Sequence, residues 1–81
     1  MKVSVRLFAV AQQIAGRDLL DLELSESATI GDLRRQLGCE VPALSPLLGP
    51  MLFAVNARYA DDATLVPPDG EIACIPPASG G

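Results

Sequence analysis

The chain has 81 residues, 49% of them apolar and 20% charged, and a formal net charge of −4 at neutral pH. A chain of this size holds one hydrophobic core and one domain, and its apolar content excludes a disordered polymer. Its charges are dispersed rather than clustered, which excludes a nucleic-acid surface, and no apolar run approaches the roughly 20 residues that cross a bilayer.

The first segment alternates: Val3, Val5 and Leu7 point one way and Lys2, Ser4 and Arg6 the other, as in a half-buried strand. That alternation also lacks the unbroken apolar run of a signal peptide, so a cytoplasmic protein is expected, with Cys39 and Cys74 as reduced thiols packed in the core. Residues 9–15 are rich in helix formers and Gly16 supplies a stop. A second strand follows with Leu20, Leu22 and Leu24 inward. Its outward Asp21 and Glu23 are expected to face Lys2 and Arg6.

Thr29 is placed to cap the main helix, Asp32 sits in the positive end of its field, and Ile30, Leu33 and Leu37 form its buried stripe. Gly38 is read as its end. Three prolines between Val41 and Pro50 predict a packed connecting loop with room for one helical turn. A strand from Met51 to Val55, a turn at Asn56-Ala57 and a return strand from Arg58 to Ala60 come next, and then a turn over Pro67-Pro68-Asp69-Gly70. The final strand, Glu71 to Ile75, stops at Pro76-Pro77, because proline cannot continue a ladder. The order predicts an α+β fold, one helix packed across one mixed sheet, with a domain over residues 1–75 and a tail over 76–81.

The chain has no histidine, so it lacks the usual general base and the commonest nitrogen ligand for metals, and its two cysteines are not a CxxC pair. A self-contained enzyme, a bound cofactor and a metal site are therefore not expected. Asp61-Asp62 reads as a solvated turn, and Arg34 and Arg58 as solvated surface. Phe8 falls on the polar side of the first strand near Ala73 and Ile75, which suggests a partner surface unless a bulge turns Phe8 into the core. Past the stiff Pro76-Pro77 the chain ends Ala78-Ser79-Gly80-Gly81. A tail with no side chains at its tip is slender enough for another protein's active site to close around it.

The sequence resembles the small subunits of molybdopterin synthase, ubiquitin-like sulfur carriers of the MoaD type. The likeness rests on Val5-Arg6-Leu7-Phe8-Ala9, Gly16, Thr29, Leu33-Arg34, Leu37, Ala54-Val55-Asn56, Asp69-Gly70-Glu71-Ile72-Ala73, and Pro76-Pro77 with Ser79-Gly80-Gly81. Three departures are visible: the family commonly shows Asp-Gly-Asp-Glu where this chain has Asp69-Gly70-Glu71, often has Val where this chain has Ala78, and in some members carries aromatic residues at the positions of Cys74 and Ile75. The resemblance implies a β-grasp fold with the last strand beside the first. It also implies a cycle in which an adenylyltransferase similar to ubiquitin-activating enzymes uses ATP to adenylate Gly81, which then becomes a thiocarboxylate. Gly80 would give passage into the large synthase subunit, usually in an assembly of two of each, where sulfur passes to cyclic pyranopterin monophosphate. Phe8, Ile75, Pro76, Pro77 and Ser79 would contact the partner, and the chain would be the non-catalytic, sulfur-donating subunit of a sulfurtransferase. Three other readings stay open: a carrier for thiamine or cysteine synthesis, a protein modifier joined through Gly81 to lysines, and an interaction module without tail chemistry.

Overall fold

A computed structural model describes residues 1–77. Strand β1 (Lys2–Leu7) buries Val3, Val5 and Leu7, each 2% exposed or less. Helix α1 (Ala9–Ala15) ends at Gly16, whose left-handed backbone (φ 73°) lets its N–H reach the Gln12 carbonyl. Strand β2 (Leu19–Glu23) runs antiparallel to β1 with Lys2 opposite Glu23, Ser4 opposite Asp21 and Arg6 opposite Leu19. Arg6 therefore has no acid across from it, contrary to expectation. The register is set by the buried pairs Val3–Leu22 and Val5–Leu20, since a slip of one residue would turn the apolar row of the slipping strand to solvent.

Helix α2 (Ile30–Glu40) begins with a reciprocal cap: the Thr29 N–H donates to the Asp32 carboxylate at 2.9 Å, and the Asp32 N–H donates to Thr29 Oγ1 at 3.3 Å. The Thr29 N–H holds the Asp32 carboxyl below its ordinary value. The other free donors of the first turn are met from outside the helix, Ile30 N–H by the Thr64 carbonyl and Gly31 N–H by that of Asp62. A Cβ at Gly31 would lie 3.3 Å from that Asp62 carbonyl, so the missing side chain permits the approach. Ile30, Leu33 and Leu37 are fully buried, as their spacing predicts.

Gly38 does not end α2, which continues to Glu40 with Val41 as its cap. Its smallness serves packing instead: a Cβ at Gly38 would sit 3.2 Å from the Leu48 side chain, which lies over the helix at that point. Leu48 is brought there by a 3-10 helix, Pro42–Leu47, which occupies the proline-rich connection and buries Leu44.

Strands β3 (Leu52–Val55) and β4 (Arg58–Ala60) form a hairpin through Asn56 and Ala57, both left-handed (φ 51° and 69°), as a two-residue turn requires. Strand β5 (Ile72–Ile75) completes the sheet in the order β2-β1-β5-β3-β4, parallel to β1 and antiparallel to β3. Asn56 fixes the start of β5 by accepting from the Glu71 N–H and donating its own N–H to the Glu71 carbonyl, each at 2.9 Å. The core lies on the face that α2 crosses.

Arg34 is not the solvated surface residue that its position suggested. Its guanidinium donates to the carbonyls of Leu48, Gly49 (3.3 Å) and Met51 (2.8 Å), pairs with Asp62 at 2.7 Å, and lies 4.9 Å from the centre of the Phe53 ring. Only its Nε is buried without a partner. One side chain thus ties α2 to the end of the 3-10 helix, to the entry of β3 and to the segment that caps the helix. Asp62, read as a solvated turn residue, is the far anchor of this group, and Asp61 accepts from the Ala63 N–H at 3.1 Å and the Thr64 hydroxyl at 3.0 Å. Charge-assisted hydrogen bonds to backbone carbonyls carry more of this than the pair with the exposed Asp62. Arg34→Met, which keeps the stem, is expected to cost about 2–3 kcal/mol. In a domain of this size each kcal/mol lowers the melting temperature by about 4–8 °C, and calorimetry measures the drop.

Candidate functional site

The central strand β5 leaves the sheet at Ile75, and Pro76 and Pro77 carry the chain outward beside Phe8. Phe8 is the N-cap of α1 with extended backbone, and its N–H donates to the Cys74 carbonyl at 3.3 Å, which continues the β1–β5 ladder by one step. At the next residue, Ala9, the backbone turns left-handed (φ 51°), a conformation that costs a non-glycine residue about 1–2 kcal/mol. The turn takes the chain away before Phe8 is covered, so its ring stays 41% exposed and no bulge buries it. Phe8, Ala9, Ile75, Pro76 and Pro77 line a shallow hollow of about 320 Å³ with no titratable side chain among them.

The pairing of β3 with β5 extends this surface. Leu52 stands opposite Ile75 and Ala54 opposite Ala73 on the face away from α2, and Tyr59 of β4 stands opposite Ala54. Leu52 is 42% exposed and Tyr59 71%. The structure therefore brings together four of the residues singled out in the sequence, Phe8, Ile75, Pro76 and Pro77. It adds Leu52 and Tyr59, which sequence reading missed. Met51 to Val55 is apolar at every position, so alternation cannot say which side chains face outward. Ser79, Gly80 and Gly81 lie outside the described residues.

Cys74 does not share this surface. Its side chain is fully buried on the core side, between the outward Ala73 and Ile75, and burial pushes its thiol up to about 11. Of Cys74 and Ile75, the two positions where some family members carry aromatic residues, only Ile75 faces outward. Cys39, expected in the core, is exposed near the end of α2. Among the described residues no cluster of His, Cys, Asp or Glu is placed to hold a metal ion, and no helix is long and apolar enough to cross a membrane. The arrangement, an exposed apolar hollow on the outer face of the sheet, suits docking.

A mixed five-stranded sheet crossed by one long helix, with its last strand central and parallel to its first, defines a ubiquitin-like β-grasp protein. The chain belongs to the ThiS family, which it matches over residues 5–81. It is 34% identical to the molybdopterin synthase sulfur carrier subunit of Chlamydomonas reinhardtii, with 100% of both chains covered. Its fold matches the crystal structure of SAMP1 from Haloferax volcanii with a TM-score of 0.87 and 26% identity over 100% of both chains. It is also similar to a chain in the complex of subunits 1 and 2 of molybdopterin-converting factor from Helicobacter pylori, with a TM-score of 0.69 and 26% identity over 100% of both chains.

The two thiols give a direct check on which side of the sheet each residue faces. In the native protein at pH 8 a thiol reagent is expected to label Cys39 alone, with Cys74 reacting only after denaturant is added, as counted by intact mass. Rapid native labelling of both would place Cys74 on the surface.

Proposed function

We propose that this chain is the sulfur carrier of a molybdopterin synthase, and that Gly81 bears the reacting carboxyl group. The observation that supports this is the end of the central strand: Ile75, Pro76 and Pro77 follow β5 into an exposed apolar hollow shared with Phe8 and Ala9. Family membership and the carrier subunits it resembles support the same reading. In the cycle, the Gly81 carboxylate attacks the α-phosphate of ATP within a partner adenylyltransferase, pyrophosphate leaves, and hydrosulfide released from the sulfur donor then attacks the acyl carbon and displaces AMP, leaving a thiocarboxylate and a proton. Gly80 lets the chain pass a narrow entrance because it has no side chain. The large synthase subunit holds the tail while sulfur passes to cyclic pyranopterin monophosphate, and it supplies the catalytic groups. The Helicobacter pylori complex of subunits 1 and 2 supports such a partner. Phe8, Ile75, Pro76, Pro77 and Ser79 form this chain's side of the contact, residues 1–75 are the folded domain, residues 76–81 are the delivered tail, and the work is done in the cytoplasm.

A second reading, a protein modifier joined through Gly81 to lysines, is favoured by the fold match to SAMP1, described as a small archaeal modifier protein. The two differ in product. Incubation with ATP, a sulfur donor and the adenylyltransferase of the same cell is expected to add the mass of one sulfur less one oxygen to the intact protein. A chain lacking Gly81 should show no gain. Covalent ladders in extracts that vanish with Gly81 would move the assignment to the modifier, and no gain with an active enzyme would overturn the carrier reading. Separately, Phe8→Asp is expected to weaken binding to the large subunit by more than about tenfold while the melting temperature stays near wild type. Undiminished binding would remove Phe8 from the contact.

A further inference from the structure

One charge on the docking face is unexplained by the fold. Because β1, β5, β3 and β4 are in register, a single row crosses the outer face of the sheet: Leu19, Arg6, Ala73, Ala54 and Tyr59. The two alanines in the middle form a low floor, and the long side chains of Arg6 and Tyr59 stand as its walls. Phe8 lies one step from Arg6, and the two share a hollow of about 200 Å³ with Ala73. Among the described residues Lys2, Arg34 and Arg35 each pair with a carboxylate, whereas Arg6 pairs with none. Glu71 shares that hollow but forms no ion pair with Arg6, and the register denies Arg6 an acid from β2. Arg17 and Arg58 are also without partners, but Arg17 lies in the turn before β2 and Arg58 beside the β3–β4 turn, outside this row.

We propose that Arg6 is the specificity-determining charge of the docking face, taking a carboxylate that the large subunit presents within an otherwise apolar contact. The proposal deepens the carrier reading and rests on it. Among the described residues of this face, an unpaired guanidinium beside Phe8 and Ala73, with Glu71 lining the same hollow but not paired to it, is where an acid gains most on approach. Lys2 is already paired with Asp21, and Asp21 and Glu23 repel any acid toward β2. An acidic side chain seated at Arg6 thus fixes the lateral position of the partner while Phe8 and Ile75 supply apolar area. Apolar contacts alone tolerate sliding; a single charge in a neutral row does not.

The experiment is titration of the large subunit from the same cell with wild type, Arg6→Lys, Arg6→Met and Arg6→Glu, each at low and high salt, after thermal melting has shown that all four fold. Arg6→Met, which keeps the apolar stem, is expected to bind about 5–10-fold more weakly at low salt and to lose part of the salt dependence. Arg6→Lys should retain most of the affinity, and Arg6→Glu should bind more weakly than Arg6→Met. Equal affinity and equal salt dependence for wild type and Arg6→Met would overturn the proposal while leaving the carrier reading intact. Failure of wild type itself to bind would overturn both.

Discussion

The parallel pairing of β1 with β5 is the constraint on which the rest of the molecule depends. Parallel neighbours cannot be joined by a tight turn, so the chain between them must cross the sheet, and α2 with the 3-10 helix and the β3–β4 hairpin makes that crossing. The crossing covers one face and leaves the other open. It also places the end of β5 at the centre of the sheet, with strands on both sides. Pro76 and Pro77 continue directly from that central strand and line one exposed apolar hollow with Phe8, Ala9 and Ile75.

Holding so small a domain together asks for more than its apolar core, and Arg34 supplies it. The first turn of α2 and the stretch from Leu48 to Met51 that follows the 3-10 helix both carry backbone groups in a half-buried region, where unpaired polar groups cost about 1–3 kcal/mol each. The donors of the first are met by Thr29, Thr64 and Asp62, and the carbonyls of the second by Arg34, which then reaches Asp62 itself. Asp62 therefore serves both ends, its backbone carbonyl on Gly31 and its carboxylate on Arg34. Lysine, with a single compact ammonium, cannot span carbonyls and a carboxylate together as a planar guanidinium does.

Much of this was legible in the sequence, and three of the misreadings share a cause. The strands of β1 and β2, the Thr29 cap, the α2 stripe and the Asn56-Ala57 turn are local patterns, decided by residues within a few positions of each other. Gly38, Arg34 and Arg6 were misread because each is decided by a distant neighbour: Leu48 for the glycine, the Leu48 and Met51 carbonyls for Arg34, and the Val3–Leu22 register for Arg6. Leu52 and Tyr59 were missed for a different reason. The strand of Leu52 is apolar on both faces and carries no alternation, so only its pairing with β5 shows that Leu52 joins Ile75, and Tyr59 is placed on the same face only by pairing with β3.

The two faces of β5 divide the work between stability and recognition. Ile72 and Cys74 are buried against the core, and Ala73 and Ile75 point outward, so neighbouring residues of one four-residue strand answer to opposite demands. A bulky residue in place of Cys74 would press on Leu7 and Phe53, its register partners, and strain the core. A bulky residue in place of Ala73 would instead fill the floor between Arg6 and Tyr59 and leave the core untouched. The outer face can therefore change its partner without refolding the domain, whereas the inner face cannot change without the tail exit moving with it. Substitutions at Ala73 or Ile75 therefore alter the exposed face, while the inner row at Ile72 and Cys74 keeps the strand seated in the core.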